Sequence, residues 1–133
     1  MKHHLGRLID HVHIRATDLD ASQRFYKALL EAIGIPVTSD ETHLQADELW
    51  IDRGEQSSRI HLAFQAINRS KVRIGYEAGL AAGGRDNGAP GEREYHPGYY
   101  AAFLLDPDGN NIEIVCHGPA ERSAASVEVE ARS

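Results

Sequence analysis

The chain has 133 residues, which suits one compact domain and leaves no room for two of ordinary size. Its 14 basic against 20 acidic residues give a formal net charge of −6, which argues against nucleic acid or an anionic membrane as a partner. The single cysteine, Cys116, excludes an internal disulfide and a cysteine-built zinc site. Because the lone thiol fits a reducing compartment and no apolar run suggests a signal or a membrane span, we expect a cytoplasmic protein.

The chain repeats itself at an offset of fifty residues. Seven of the 24 positions from 11 to 34 carry the same residue fifty places later, where chance would give roughly two. The identical pairs are His11 and His61, Ala16 and Ala66, Tyr26 and Tyr76, Ala28 and Ala78, Leu30 and Leu80, Ala32 and Ala82, and Gly34 and Gly84. This repeat predicts two modules, about 8–54 and 58–117, between an N-terminal tail of residues 1–7 and a flexible C-terminal tail of residues 118–133.

The first module begins with residues 8–16, where apolar and polar side chains alternate as in a half-buried strand. Asp18 then caps a helix whose apolar residues recur at helical spacing until Gly34 ends it. Three short strands are predicted after this helix, over residues 36–40, 42–46 and 48–53.

The second module follows the same order. Its helix is capped by Asn68 and weakened by Gly75 and Gly79. Residues 85–98 are rich in glycine and proline, so we expect a long irregular hairpin or loop there. The run Asp106-Pro107-Asp108-Gly109 predicts a tight turn between two strands. The predicted strands of this module cover residues 59–66, 99–105 and 110–117.

Three side chains that bind metals recur on polar strand faces. His11, His61 and Glu113 each lie in a predicted strand, on the face opposite the aliphatic side chains. A carboxylate placed there is costly to bury unless it is paired or bound to a metal. If both modules form one curved sheet, these faces converge on a shared cavity. Two imidazoles and one carboxylate suit iron(II) or manganese(II) and leave positions open for substrate, and zinc or nickel is also chemically compatible.

Segments 10–15, 18–26, 60–64 and 103–114 together resemble the vicinal oxygen chelate superfamily, which includes glyoxalases, bleomycin-resistance proteins and ring-cleaving dioxygenases. The resemblance spans about residues 8–117. It implies an α+β fold in which two paired βαβββ modules form a curved, partly open barrel-like sheet with helices outside. It also implies a homodimer and one divalent metal ion per chain.

The resemblance assigns the metal to His11, His61 and Glu113, with Glu113 also serving in catalysis. Glyoxalase-type members add a fourth ligand from a Glu-Leu-Thr-x-Asn run. This chain matches only the first two residues of that run, from Glu48 onward, which puts lactoylglutathione lyase activity in doubt. The strand register decides whether Glu48 or Trp50 is the counterpart of Glu113, and the sequence leaves both alternatives open.

Three further side chains are candidates for acid–base chemistry. His13 shares the face of His11, where it supports a ligand, acts as a base or forms a polar wall. His96 and Tyr99 lie in a basic and aromatic segment that forms either a lid over the cavity or an ordinary surface loop.

The sequence therefore predicts a metal-dependent enzyme acting on a small substrate with adjacent oxygens, of lyase, isomerase or dioxygenase type. The alternative is a metal-free protein that binds a drug or another small molecule in a groove between subunits.

Overall fold

The computed structural model describes residues 2–5, 8–124 and 126–132. Two helices are present in this part of the chain, α1 (Leu19–Ala32) and α2 (Arg69–Ala81). The strands in chain order are β1 (Lys2–Leu5), β2 (Val12–Ala16), β3 (Thr38–Ser39), β4 (His43–Ala46), β5 (Leu49–Arg53), β6 (His61–Gln65), β7 (Arg85–Glu92), β8 (Tyr99–Leu105), β9 (Asn111–His117) and β10 (Val127–Glu130). Neither helix is long and apolar enough to span a membrane.

Two four-stranded sheets have equivalent strand orders, β2-β5-β4-β3 and β6-β9-β8-β7. In each sheet the first strand of the module pairs in parallel with its last strand, and the other neighbours are antiparallel. The helices begin fifty residues apart, and the side chains of Asp18 and Asn68 accept hydrogen bonds at their N-termini. The predicted α+β fold with two βαβββ modules is confirmed.

The hydrophobic core is shared by both modules. α1 packs against α2, and each sheet turns its aliphatic face toward this helix pair. Ile14 and Ile51 of the first sheet belong to the same buried cluster as Ile112 and Ile114 of the second. Because side chains alternate along a strand, the polar face of each sheet points away from the helices.

Some element boundaries differ from the prediction. β2 begins only at Val12, so His11 precedes the strand. The segment expected to be an irregular hairpin or loop contains β7, an edge strand paired with β8. Its ladder shifts register around Gly88 and Gly91. Because glycine has no side chain and a bulge changes the residue count, the alternation of apolar and polar residues typical of a strand is not visible in the sequence there.

The two ends of the chain pair with each other, where unstructured tails were expected. β1 and β10 form a two-stranded antiparallel sheet, with Lys2 opposite Glu130 and Leu5 opposite Val127. The sequence of β10 alternates as Val-Glu-Val-Glu, a pattern that fits a strand. The prediction of a tail considered only the small and charged composition of this segment and not its alternation. Residues 1, 6, 7, 125 and 133 lie outside the described residues, so the expectation of tails stays a prediction for them.

Candidate functional site

Glu113 is a buried carboxylate in the middle of the second sheet. It lies on β9 between two neighbouring strands, and 2% of its surface is exposed. The His61 Nε2 lies 2.8 Å from Glu113 Oε1, and the Tyr99 hydroxyl donates a hydrogen bond to Oε2. The carboxylate is thus stabilised by one donor on each oxygen. The His61 side chain is 55% exposed, so this polar pair reaches the surface.

The strand register explains this contact. β6 runs parallel to β9 with Ala63 opposite Glu113. His61 lies two residues earlier on the same face and reaches Glu113 diagonally. β8 contributes Tyr99 from the other side, again on the polar face.

Tyr99 acts as a hydrogen-bond donor. Burial and, after it, the hydrogen bond to the Glu113 carboxylate and the charge of that carboxylate raise the pKa of the Tyr99 phenol to about 12. The phenol therefore stays protonated at neutral pH and orients Glu113. Tyr99, predicted as an acid–base candidate, does contact the predicted carboxylate ligand.

A pair of histidines lies beside Tyr99. His96 Nε2 is 2.9 Å from His117 Nδ1, and both imidazoles meet the Tyr99 ring edge to face. His96 was a candidate from the sequence, whereas His117 was not singled out. The alternation along β9 already placed His117 on the face of Glu113, and that was the available signal.

The polar face of the first sheet carries a different set of groups. His13 Nε2 lies 2.8 Å from Asp52 Oδ1, and His43 stacks on Trp50 with ring centroids 4.0 Å apart. Burial raises the pKa of the Asp52 carboxyl, but hydrogen bonds from His13 and Trp50 outweigh it and hold the pKa below its usual value. His13 is therefore held by a carboxylate of its own module.

The register identifies Trp50 as the counterpart of Glu113. His13 is opposite Trp50 in the first sheet, and Ala63, fifty residues later, is opposite Glu113 in the second. Glu48 lies two residues before Trp50, immediately before β5, so it is the counterpart of Asn111. The first module consequently offers an indole where the second offers a carboxylate.

His11 does not reach the other two predicted ligands. Its Nδ1 lies 2.7 Å from the adjacent Asp10, and its side chain is 70% exposed. Together with His13, Glu48 and Trp50 it lines a cavity of about 430 Å³ on the first module.

Within the described residues, no three histidine, cysteine, aspartate or glutamate side chains come together as a metal site. Within one chain, the described residues therefore do not bring the two imidazoles and the carboxylate together, and the predicted ligand set stays a prediction. Both sheets pack their aliphatic faces on the α1–α2 pair, so their polar faces point away from the helices.

The profile of the Glyoxalase/Bleomycin resistance protein/Dioxygenase superfamily matches residues 8–114. The chain belongs to this superfamily. The matched stretch includes both modules and ends one residue after Glu113. Comparison with curated proteins gave no match.

Solved structures of the superfamily have the same fold. A glyoxalase/bleomycin resistance protein from Albidiferax ferrireducens T118 is 28% identical with a TM-score of 0.67, covering 80% of this chain and 95% of that one. A glyoxalase-related enzyme from Fulvimarina pelagi is 21% identical with a TM-score of 0.67, covering 95% and 99%. A family enzyme from Burkholderia phytofirmans PsJN is 23% identical with a TM-score of 0.62, covering 80% and 96%.

Proposed function

We propose that this superfamily member is a metal-dependent enzyme that acts on a small substrate with adjacent oxygens, in a site shared by two chains. The observation that carries the proposal is Glu113, a buried carboxylate held by Tyr99 and in contact with a half-exposed histidine, His61. A carboxylate on a central strand costs folding free energy, so its position calls for a role that an apolar side chain would not fill.

His61 and Glu113 fit a metal ion as two of its ligands. Donors bound at right angles to one ion, each at about 2.1 Å, are roughly 3 Å apart. The His61 Nε2 and Glu113 Oε1 are 2.8 Å apart, and the His61 side chain is 55% exposed. The phenol of Tyr99 bonds the other carboxylate oxygen, Oε2, so His61 is the hydrogen-bond partner that a metal ion at Oε1 would replace.

The third ligand in the proposal is His11 of a second copy. β2 and β6 are both edge strands of their sheets, although the backbone of Arg15 in β2 is already hydrogen-bonded to Ser58. Just before β2, Leu8 is 90% exposed and Ile9 is 48% exposed. Pairing the β2 edge with the β6 edge of a second chain would cover these apolar side chains and bring His11 toward His61 and Glu113. A two-fold dimer makes this contact twice.

The Trp50 position bears on the reaction class. With an indole as the counterpart of Glu113, the ligand set has two histidines and one carboxylate, without a fourth ligand. This set leaves more positions open than a four-ligand site and is typical of iron(II) oxygenases. It favours a dioxygenase-type reaction over a glyoxalase-type isomerisation.

The groups of this chain have distinct roles in such a site. A bound divalent ion would supply Lewis-acid chemistry toward adjacent substrate oxygens. Tyr99 fixes the rotamer of Glu113 by donating to Oε2. Trp50, stacked on His43, forms a rigid wall of the cavity that also contains His11.

The test measures metal content by elemental analysis of protein purified without an affinity tag. About one divalent ion per chain is expected for the wild type, and Glu113→Gln and His61→Ala should each lose most of it. His43→Ala is the matched control, since it removes an imidazole that contacts neither ligand. Full occupancy in the Glu113→Gln, His61→Ala double variant would exclude this site.

One observation favours the metal-free alternative, in which the protein binds a drug or another small molecule. No three ligands meet in the described part of one chain, and the cavity of the first module includes the indole of Trp50. The test is the fluorescence of the single tryptophan. This alternative would be supported if the wild-type protein contains no metal and its tryptophan fluorescence is quenched when an aromatic drug binds.

A further inference from the structure

We propose that His96 and His117 form a second metal site, which takes a late divalent transition ion such as Cu²⁺ or Ni²⁺. His96 lies in the turn between β7 and β8, and His117 is the last residue of β9. Their imidazoles stack at an interplanar angle of 18°, and the facing nitrogens are 2.9 Å apart.

The backbone fixes which nitrogen of His96 is available. Its Nδ1 lies 2.9 Å from the carbonyl oxygen of Pro97, which can only accept a hydrogen bond. Nδ1 therefore carries the proton, and the lone pair of neutral His96 lies on Nε2, directed at His117. A histidine that binds a metal almost always donates its other ring N–H to a carbonyl or a carboxylate.

The spacing of the two nitrogens indicates the kind of ion. Two ligands at right angles on an ion with bonds of about 2.0–2.1 Å are about 2.9 Å apart, whereas tetrahedral ligands are roughly 3.3 Å apart. The observed 2.9 Å is the length of an ordinary hydrogen bond between the two rings and equals the separation expected at a right angle, so a bound ion would replace that hydrogen bond. Square-planar and octahedral geometries with imidazole ligands are preferred by Cu²⁺ and Ni²⁺. Water would complete the coordination, because no further metal-binding side chain joins the pair within the described residues.

A metal at this position would join two separate elements. The turn carrying His96 connects β7 to β8, while His117 ends the neighbouring strand β9. The ring of Tyr99 packs against both imidazoles and supports their arrangement. Because the unfolded chain does not hold the two histidines together, binding should raise the melting temperature.

This site shares no ligand with the proposed Glu113 site, and Tyr99 is the side chain that contacts both. The hydroxyl of Tyr99 bonds Glu113, but only the edge-to-face contacts of its ring reach His96 and His117. A substitution of one ligand therefore removes no ligand from the other site.

The experiment titrates Cu²⁺ into the full chain and records its electron paramagnetic resonance spectrum and its melting temperature. The background carries Glu113→Gln, which removes a ligand of the proposed catalytic site, and His3→Ala with His4→Ala, which removes other imidazoles. We expect one site with nitrogen hyperfine structure from two imidazoles. His96→Ala and His117→Ala should each weaken binding by at least about tenfold, and His43→Ala should leave it unchanged.

The melting temperature provides the second measurement. Cu²⁺ should raise it in the background protein and in His43→Ala, and should leave it unchanged in the His96→Ala, His117→Ala double variant. Equal copper affinity in the background and in this double variant would overturn the proposal, as would a spectrum with a single nitrogen ligand. The result does not depend on Glu113, so loss of metal from that site would leave this inference standing.

Discussion

Two buried carboxylates, those of Asp106 and Glu113, differ in how many hydrogen-bond donors surround them, and this difference distinguishes a structural carboxylate from a candidate functional one. Asp106 is 1% exposed and accepts hydrogen bonds from the backbone of Asp108, from both amide groups of Asn110 and from the Tyr26 hydroxyl. Four donors satisfy this carboxylate completely, so it holds the turn between β8 and β9. Glu113, buried to a similar degree, has two donors, of which one is a half-exposed imidazole. The less satisfied carboxylate is the candidate for function.

The contact of Tyr26 with Asp106 gives a prediction at the residue scale. Burial and the Asp106 carboxylate raise the pKa of Tyr26 well above its usual value, so the phenol is a permanent donor. Tyr26→Phe should lower the free energy of unfolding by about 1–3 kcal/mol, because Asp106 loses a buried partner. Urea unfolding measures the change.

Ser22→Ala is the control for Tyr26→Phe, since the buried Ser22 Oγ has no hydrogen-bond partner among the described residues. Its effect should be close to zero. Equal losses in both variants would show that the hydrogen bond to Asp106 contributes nothing specific.

At the scale of elements, two glycines of α2 explain how the modules pack. The sequence marks Gly75 and Gly79 as weak points of a helix, yet both lie on its buried face. A Cβ on Gly75 would approach Ile33 of the first module to 2.7 Å, and one on Gly79 would approach Leu104 to 2.6 Å. The glycines lower helix propensity but permit close contact with α1 and with the second sheet.

Replacing Gly79 therefore sets two effects against each other. Gly79→Ala gains about 1 kcal/mol of helix propensity, but overpacking against Leu104 costs about 1–3 kcal/mol, so we expect lower stability. Unfolding in urea tests the sign. Leu104→Ala should cost less in the Gly79→Ala background than in the wild type, because the new methyl group fills part of the cavity. If Gly79→Ala alone raises the free energy of unfolding by about 1 kcal/mol, helix propensity outweighs overpacking at this position.

At the scale of the whole molecule, the proposed two-fold assembly predicts complementation between inactive variants. A dimer of one His11→Ala chain and one Glu113→Gln chain contains one intact site and one doubly altered site. Random mixing of the two variants should restore metal to about a quarter of all sites. Elemental analysis after mixing and refolding measures this fraction.

Each variant alone should bind little metal and serves as the control for complementation. If the mixture contains no more metal than either variant alone, no site is shared between chains. Full metal binding by His11→Ala alone would remove His11 from the ligand set.

The fold was largely predictable because its signals are local. Alternation placed Glu113 and His61 on polar strand faces, and the Asp18 and Asn68 caps marked two helices that begin fifty residues apart. The strand β7 was missed because its glycines carry no alternation. The contact between Glu113 and His61 was expected from faces alone, whereas the pairing of His96 with His117 depends on a turn that the sequence left irregular.

Neighbouring residues are enough to predict which side chains share a face, because strands and helices have fixed side-chain periods. Which faces meet depends on contacts between residues that are distant in the chain. The register of β2 on β5 makes Trp50 the counterpart of Glu113, and no local pattern distinguishes it from a register shifted by two. The two sheets pack their aliphatic faces on the α1–α2 pair, and in this arrangement His11 does not join His61 and Glu113, because burial of apolar surface and not the polar side chains determines how the modules pack.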